Sequence, residues 1–140
     1  MDILETGIVL SGIVTIGIGL FHLPPIWERF FAKWKVEAGS MSLLDRKLIN
    51  TVLLALALVL LVFAFASIAY APEIAGGNGL GFGLAILLAI FWFWRAVWQV
   101  YYFPPSKIEH DRNLLALHYS LTVICFAISA VYAATVLSRV

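Results

Sequence analysis

The sequence predicts an all-α integral membrane protein, a bundle of four transmembrane helices with a short amphipathic helix in the interface between spans one and two. Three observations predict it. First, 63% of the 140 residues are hydrophobic, 12% are charged and the mean hydropathy is +0.99. A soluble domain is about 45–50% apolar and about 25% charged. So few charges cannot coat a surface in water, which excludes an ordinary soluble domain, a disordered tail and a nucleic-acid binder. Second, the apolar residues gather into four runs, each long enough to cross about 30 Å of hydrocarbon, which takes roughly 20 residues. Third, the runs are continuously apolar and do not alternate. Lipid offers the backbone no partners, so each run closes its hydrogen bonds within a helix and a β-barrel is not expected.

Residues 1–140 therefore read as one transmembrane domain. The first span runs from about Ile3 to Leu23. It opens on Met-Asp-Ile-Leu-Glu, without a basic leading segment or a small-residue cleavage site, so a removed signal peptide is not expected. Gly7, Ser11, Thr15 and Gly19 recur every fourth residue, on one helical face that lets another backbone approach closely. Packing against another span of the same chain is the simpler expectation, and a homodimer or a partner subunit is the alternative. Gly12 and Gly17 are smaller notches.

Pro24-Pro25 ends the first span. Residues 26–38 follow as the amphipathic stretch, with Trp27, Phe30, Phe31 and Trp34 at i, i+3, i+4 and i+7. Such a helix anchors in the cytoplasmic interface. The second span runs from about Leu48 to Ala71 and is stopped by Pro72, with Asp45 as an N-cap before it. The third runs from about Gly79 to Phe103 and is stopped by Pro104-Pro105. Gly79, Gly81 and Gly83 at its start predict another close crossing. The fourth runs from about Leu114 to Leu137, and its Cys125 has no second cysteine in the chain to pair with.

Both halves share an order of features: a span, Pro-Pro, a polar linker, then Asp-Arg-x-Leu at Asp45–Leu48 and Asp111–Leu114. A parallel repeat would look like this. Ordinary capping and loop charge would also produce it.

The basic residues orient the spans. Arg29, Lys33, Lys35, Arg46 and Lys47 lie between spans one and two, and Lys107 and Arg112 between spans three and four. The connection between spans two and three holds only Glu73. The positive-inside rule places loops 24–47 and 104–113 in the cytoplasm and both termini outside. Arg139 alone opposes it.

Polar side chains inside spans are functional candidates by default. Arg95 and Gln99 are four apart on the third span, with Trp92 nearby. Arg95 is about 12 Å along the helix from Phe103, and His118 about 9 Å past Arg112. His22 ends the first span and Asn50 lies near the start of the second. Orientation brings Arg95, Gln99, His118, His22 and Asn50 to the cytoplasmic half, one or two from each span. A ligand pocket there is expected, with Trp92 beside it. No Asp or Glu lies in the cytoplasmic half of a span to neutralise Arg95, which favours an anionic ligand or lipid headgroup if Arg95 faces inward. If it faces outward, it snorkels toward the headgroups.

The histidines raise a second reading. Axial ligation of haem b needs two imidazoles on facing helices at similar depth, and His22 with His118 meets the depth condition loosely. A quinone is another expectation, with His118 or Arg95 as donor and Trp92, Trp94 and Trp98 as ring neighbours. A third reading is an enzyme acting on a lipid, with His118 as acid/base and Arg95 as phosphate clamp. Otherwise no catalytic residue is assigned, since no Gly-x-Ser-x-Gly or Cys/His pairing is present. No metal ligand set is assigned either. His110 with Glu109 and Asp111 are adjacent and point apart, and no His-Glu-x-x-His is present. Gly76-Gly77-Asn78-Gly79 has neither P-loop nor dinucleotide spacing.

Three pieces carry a resemblance: Phe21-His22-Leu23-Pro24-Pro25, Asp45-Arg46-Lys47-Leu48-Ile49-Asn50, and Phe91-Trp92-Phe93-Trp94-Arg95 with Gln99. Together they resemble small four-helix bacterial membrane proteins of unknown function. The resemblance covers the first three spans, implies a bacterial inner membrane, and supplies no activity and no functional residues. The first expectation is thus a non-enzymatic accessory or binding module in contact with the bilayer, taking a lipid, a quinone-like molecule or a partner subunit.

Overall fold

The computed structural model describes residues 2–30, 39–102 and 112–139. Six helices are defined there and no strand: α1 (Ile3–Phe21), α2 (Pro24–Phe30), α3 (Leu43–Ala69), α4 (Ala71–Gly76), α5 (Gly79–Tyr102) and α6 (Arg112–Leu137). Four of them, α1, α3, α5 and α6, are long and apolar enough to cross a membrane. The fold class is all-α, of the four-helix membrane type. Most of residues 26–38, and the loop 104–111 with His110, lie outside the described residues. Of the expected interfacial helix only the first part is seen, as α2.

The chain divides into two compact units, Val9–Ala69 and Met1–Ile8 with Tyr70–Val140. In Val9–Ala69, α1 and α3 run antiparallel. A Cβ on Gly12 would meet Ile68 and the Ala64 carbonyl, and one on Gly19 would meet Leu60 and the Ala57 carbonyl. The closest approach is at Gly12, which the spacing marked only as a smaller notch, while Gly17 has nothing within 4 Å. Ser11, Thr15 and Gly19 are buried by the chain itself. Close packing within the chain thus occupies most of the small-residue face that a homodimer would need.

Helix ends depart from the expected ones for local reasons. Asp2 and Glu5 cap α1: the Ile3 amide donates to Asp2 Oδ1 at 2.6 Å and the Asp2 amide to Glu5 Oε2 at 3.3 Å. Ser42, not Asp45, caps α3. Its hydroxyl accepts from the Asp45 amide at 3.2 Å and donates to the Asp45 carboxylate at 2.7 Å, so Asp45 is the third residue of the helix. Helix α3 therefore begins five residues before the expected start. In the second Asp-Arg-x-Leu, Asp111 lies outside the described residues.

Pro72 does more than stop the second span. It sits in the first turn of α4, where a missing N–H breaks no helical bond. Pro24 and Pro25 open α2 in the same way. Helix α4 ends on Gly77, whose φ of 64° is left-handed and whose N–H reaches the Glu73 and Ile74 carbonyls. A side chain on Gly81 would overlap the Glu73 carbonyl, so the glycine-rich start of α5 does cross another helix closely, but that helix is α4 and only Gly81 requires it. Arg139 lies against Gly77 and donates to the Ala75 carbonyl at 3.3 Å. Binding the C-terminal carbonyls of α4 explains the one basic residue that opposed the charge rule.

Helix α5 packs antiparallel on α6. Its buried residues, Gly81, Ala85, Leu88, Trp92, Ala96 and Gln99, are spaced by steps of three or four. On α6 the buried set is His118, Cys125, Ile128, Ser129, Tyr132 and Thr135. Spacing of this kind turns one face of each helix toward the other. Several polar residues within the spans turn inward, and many large apolar ones turn outward. Thr15, Ser67 and Thr135 are buried, whereas Leu58, Phe65, Ile90 and Val123 are each more than 60% exposed. An outer surface this apolar is suited to lipid.

A candidate polar site on the paired helices

The seam between α5 and α6 is mostly apolar, with Ser129 and Thr135 among the residues that α6 buries, and toward the Tyr102 end of α5 Gln99 and His118 form a polar layer. Both are buried. Gln99 Nε2 is 3.2 Å from His118 Nδ1. One turn back on α5, Arg95 Nη1 donates to Gln99 Oε1 at 2.6 Å. Arg95 is half-buried. Its side chain reaches one turn toward the Tyr102 end of the helix, so it combines the two expected arrangements by leaning toward that end and bonding Gln99. Among the described residues no carboxylate pairs with it.

Trp92 sits seven residues before Gln99 on the same side of α5. Its ring is 1% exposed, meets Phe91 edge-on, and carries an indole N–H with no acceptor among the described residues. On α6 the His118 carbonyl accepts from Thr122 Oγ1 at 2.8 Å, and the imidazole meets Tyr119 edge-on. Trp94, Trp98 and Tyr102 stack in a ladder with centroids 6.0 and 4.7 Å apart. All three are well exposed, as an interfacial aromatic belt would be.

The structure thus joins Arg95, Gln99 and His118, with Trp92 on the same side of α5. His22 and Asn50 belong to the other compact unit. The His22 ring is buried, stacks on Trp27 with centroids 6.2 Å apart, and donates from Nδ1 to the Ile18 carbonyl at 2.7 Å. Asn50 is half-buried in the second turn of α3.

These bonds bear on haem. A neutral imidazole ligates iron through an unprotonated nitrogen. His22, with its proton on Nδ1, keeps Nε2 unprotonated. His118 is the opposite case. Its Nδ1 accepts from the Gln99 amide, which leaves the proton on Nε2. As bonded here, His118 is not arranged as an iron ligand. Among the described residues no three His, Cys, Asp or Glu side chains group to hold a metal ion.

Sequence reasoning placed Arg95 and Gln99 on one face but did not identify His118 as the partner of Gln99. The signal available was the step of three and four from Gly81 to Gln99, which puts Gln99 on the packing seam and Arg95 at its edge. The interhelical bond from Ser129 to Ala89 had no comparable signal.

The length and apolarity of four helices, and the apolar outer surface, define an integral membrane protein of the four-helix class. No family model, curated protein or solved structure matches the chain.

Proposed function

We propose that the chain is a non-enzymatic accessory or binding module of a bacterial inner membrane, and that its site on α5 and α6 takes the anionic headgroup of a lipid in the cytoplasmic leaflet. Both termini face outward in this reading, and loops 24–47 and 104–113 face the cytoplasm, where most of the basic residues lie. The observation that carries the proposal is Arg95. It stands within the length of an apolar helix with, among the described residues, a single hydrogen bond, to a neutral amide. A guanidinium has five N–H donors and a permanent charge. Leaving such a group uncompensated in hydrocarbon is unfavourable by several kcal/mol, on the order of 3 at a span centre. A phosphate at the interface supplies both the charge and the acceptors.

The test is native mass spectrometry of the full-length protein extracted with its membrane lipids. Anionic lipid is expected to remain bound to the wild type and to be lost from Arg95→Ala. Arg95→Lys is expected to retain part of it, since lysine keeps the charge without the planar fork. Equal retention by wild type and Arg95→Ala would overturn the proposal.

A further inference from the structure

The bond from Arg95 to Gln99 determines what His118 offers a ligand. Arginine has donors only, so the atom of Gln99 that faces it must be the amide oxygen. A flipped amide would set N–H against N–H. With the oxygen held by Arg95, the amide nitrogen faces the imidazole, and an amide nitrogen can only donate. His118 Nδ1 must therefore accept, and the ring proton is on Nε2. Nε2 meets no hydrogen-bond partner among the described residues, although His118 is only 4% exposed.

We propose that Gln99 is a positioning residue that makes His118 a hydrogen-bond donor, so that the site formed by Arg95, Gln99 and His118 takes a phosphate group through the His118 Nε2–H and the remaining Arg95 N–H groups. The inference rests on the reading of the site as an anion site and adds to it the role of Gln99 and the second contact. Gln99 Oε1 accepts from Arg95, and His118 Nδ1 accepts from Gln99 Nε2. Beyond the second lone pair of Gln99 Oε1, what the three side chains have left to offer is donors. A phosphate oxygen accepts from these donors, whereas a cation would be repelled by the fixed charge of Arg95. The phosphate comes either from a lipid headgroup or from free phosphate at the membrane surface.

The experiment uses the full-length chain, labelled with ¹⁵N-histidine, in nanodiscs. One preparation contains phosphatidylcholine with phosphatidic acid. The other contains phosphatidylcholine alone, titrated with inorganic phosphate. The His118 nitrogens of the wild type are expected to report the Nε2–H tautomer. A shift of Nε2 with phosphatidic acid supports the proposal with a lipid as source, and a shift only with inorganic phosphate supports it with the free ion as source. No shift with either overturns it.

Gln99→Glu tests the role of Gln99. A carboxylate accepts from both neighbours, so the ring proton moves to Nδ1, and phosphatidic acid binding is expected to fall by about tenfold or more, in the range of one hydrogen bond to a charged group. Gln99→Leu releases the ring without adding charge, and a mixture of tautomers is expected. If both variants keep the Nε2–H tautomer and wild-type lipid affinity, Gln99 does not position His118. The two readings separate cleanly. An Nδ1–H tautomer in the wild type, with lipid still lost from Arg95→Ala, overturns this inference and leaves the anion site standing. Full lipid retention in Arg95→Ala overturns the anion site itself.

Discussion

The Ser129 hydroxyl on α6 donates to the Ala89 carbonyl on α5 at 2.9 Å, a second side-chain bond between the two helices that Gln99 and His118 also join. Interhelical bonds of this kind average about 0.6 kcal/mol in membrane proteins. Ser129→Ala is expected to destabilise by about that amount, read from reversible unfolding in mixed micelles. A loss above roughly 2 kcal/mol, beyond the largest such bonds, would mean that the hydroxyl holds more than this one carbonyl.

Gly81→Ala puts a methyl group into the Glu73 carbonyl, and backbone has no rotamer with which to give way. A loss of about 1–3 kcal/mol is expected, as for overpacking of a close-packed site. Gly83→Ala is the control. Nothing lies within 4 Å of its added carbon, and helix propensity predicts a gain of up to about 1 kcal/mol. Thermal unfolding of the pair separates steric overlap from propensity. Equal behaviour would mean that α4 does not rest on α5.

On α1 the same contrast holds between Gly12 and Gly17. Gly12→Val drives two methyl groups against Ile68 and the Ala64 carbonyl, and is expected to be destabilising, again by about 1–3 kcal/mol. Gly17→Val points into open space and is expected to be tolerated. Folded yield and melting temperature in detergent check both.

Removing the hydroxyl of Ser42 frees the Asp45 amide and ends its bond to the Asp45 carboxylate. Ser42→Ala is expected to weaken the start of α3 by about 1 kcal/mol. Hydrogen exchange at the first-turn amides of α3 should rise several-fold while the helix centre is unchanged. Exchange that stays at the wild-type rate would show that Ser42 is not the cap.

The Nε2–H tautomer of His118 predicts that the purified protein has no Soret absorbance that depends on His118. A Soret band that disappears in His118→Ala would show that the ring turns its unprotonated nitrogen to iron, and would overturn the arrangement seen with Gln99.

Much of the fold was legible because hydropathy is a property of the chain taken along its length. The third span was expected from Gly79 to Phe103 and α5 is Gly79–Tyr102. The misread ends are at residues with two uses. Pro72 both stops one helix and opens the next, and Asp45 serves as well in the third position of a helix as in front of one. The candidate site was half legible. Arg95 and Gln99 are four apart in sequence, so helical spacing alone brings them together. Gln99 and His118 are 19 apart on different helices, and no local pattern links them.

Sequence by itself determined that this chain has four lipid-crossing helices, and its loop charges predict which ends face the cytoplasm. Both follow from transfer energies, which depend on composition along the chain. Tertiary structure alone decided the rotation of each helix about its axis: that Gly12 and not Gly17 meets α3, that Ser129 finds Ala89, and that Gln99 faces His118. The reason is that these helices are apolar nearly all round, so the apolar pattern leaves that rotation open. Close approach at small residues and a few hydrogen bonds fix it instead, and with it the proton on His118.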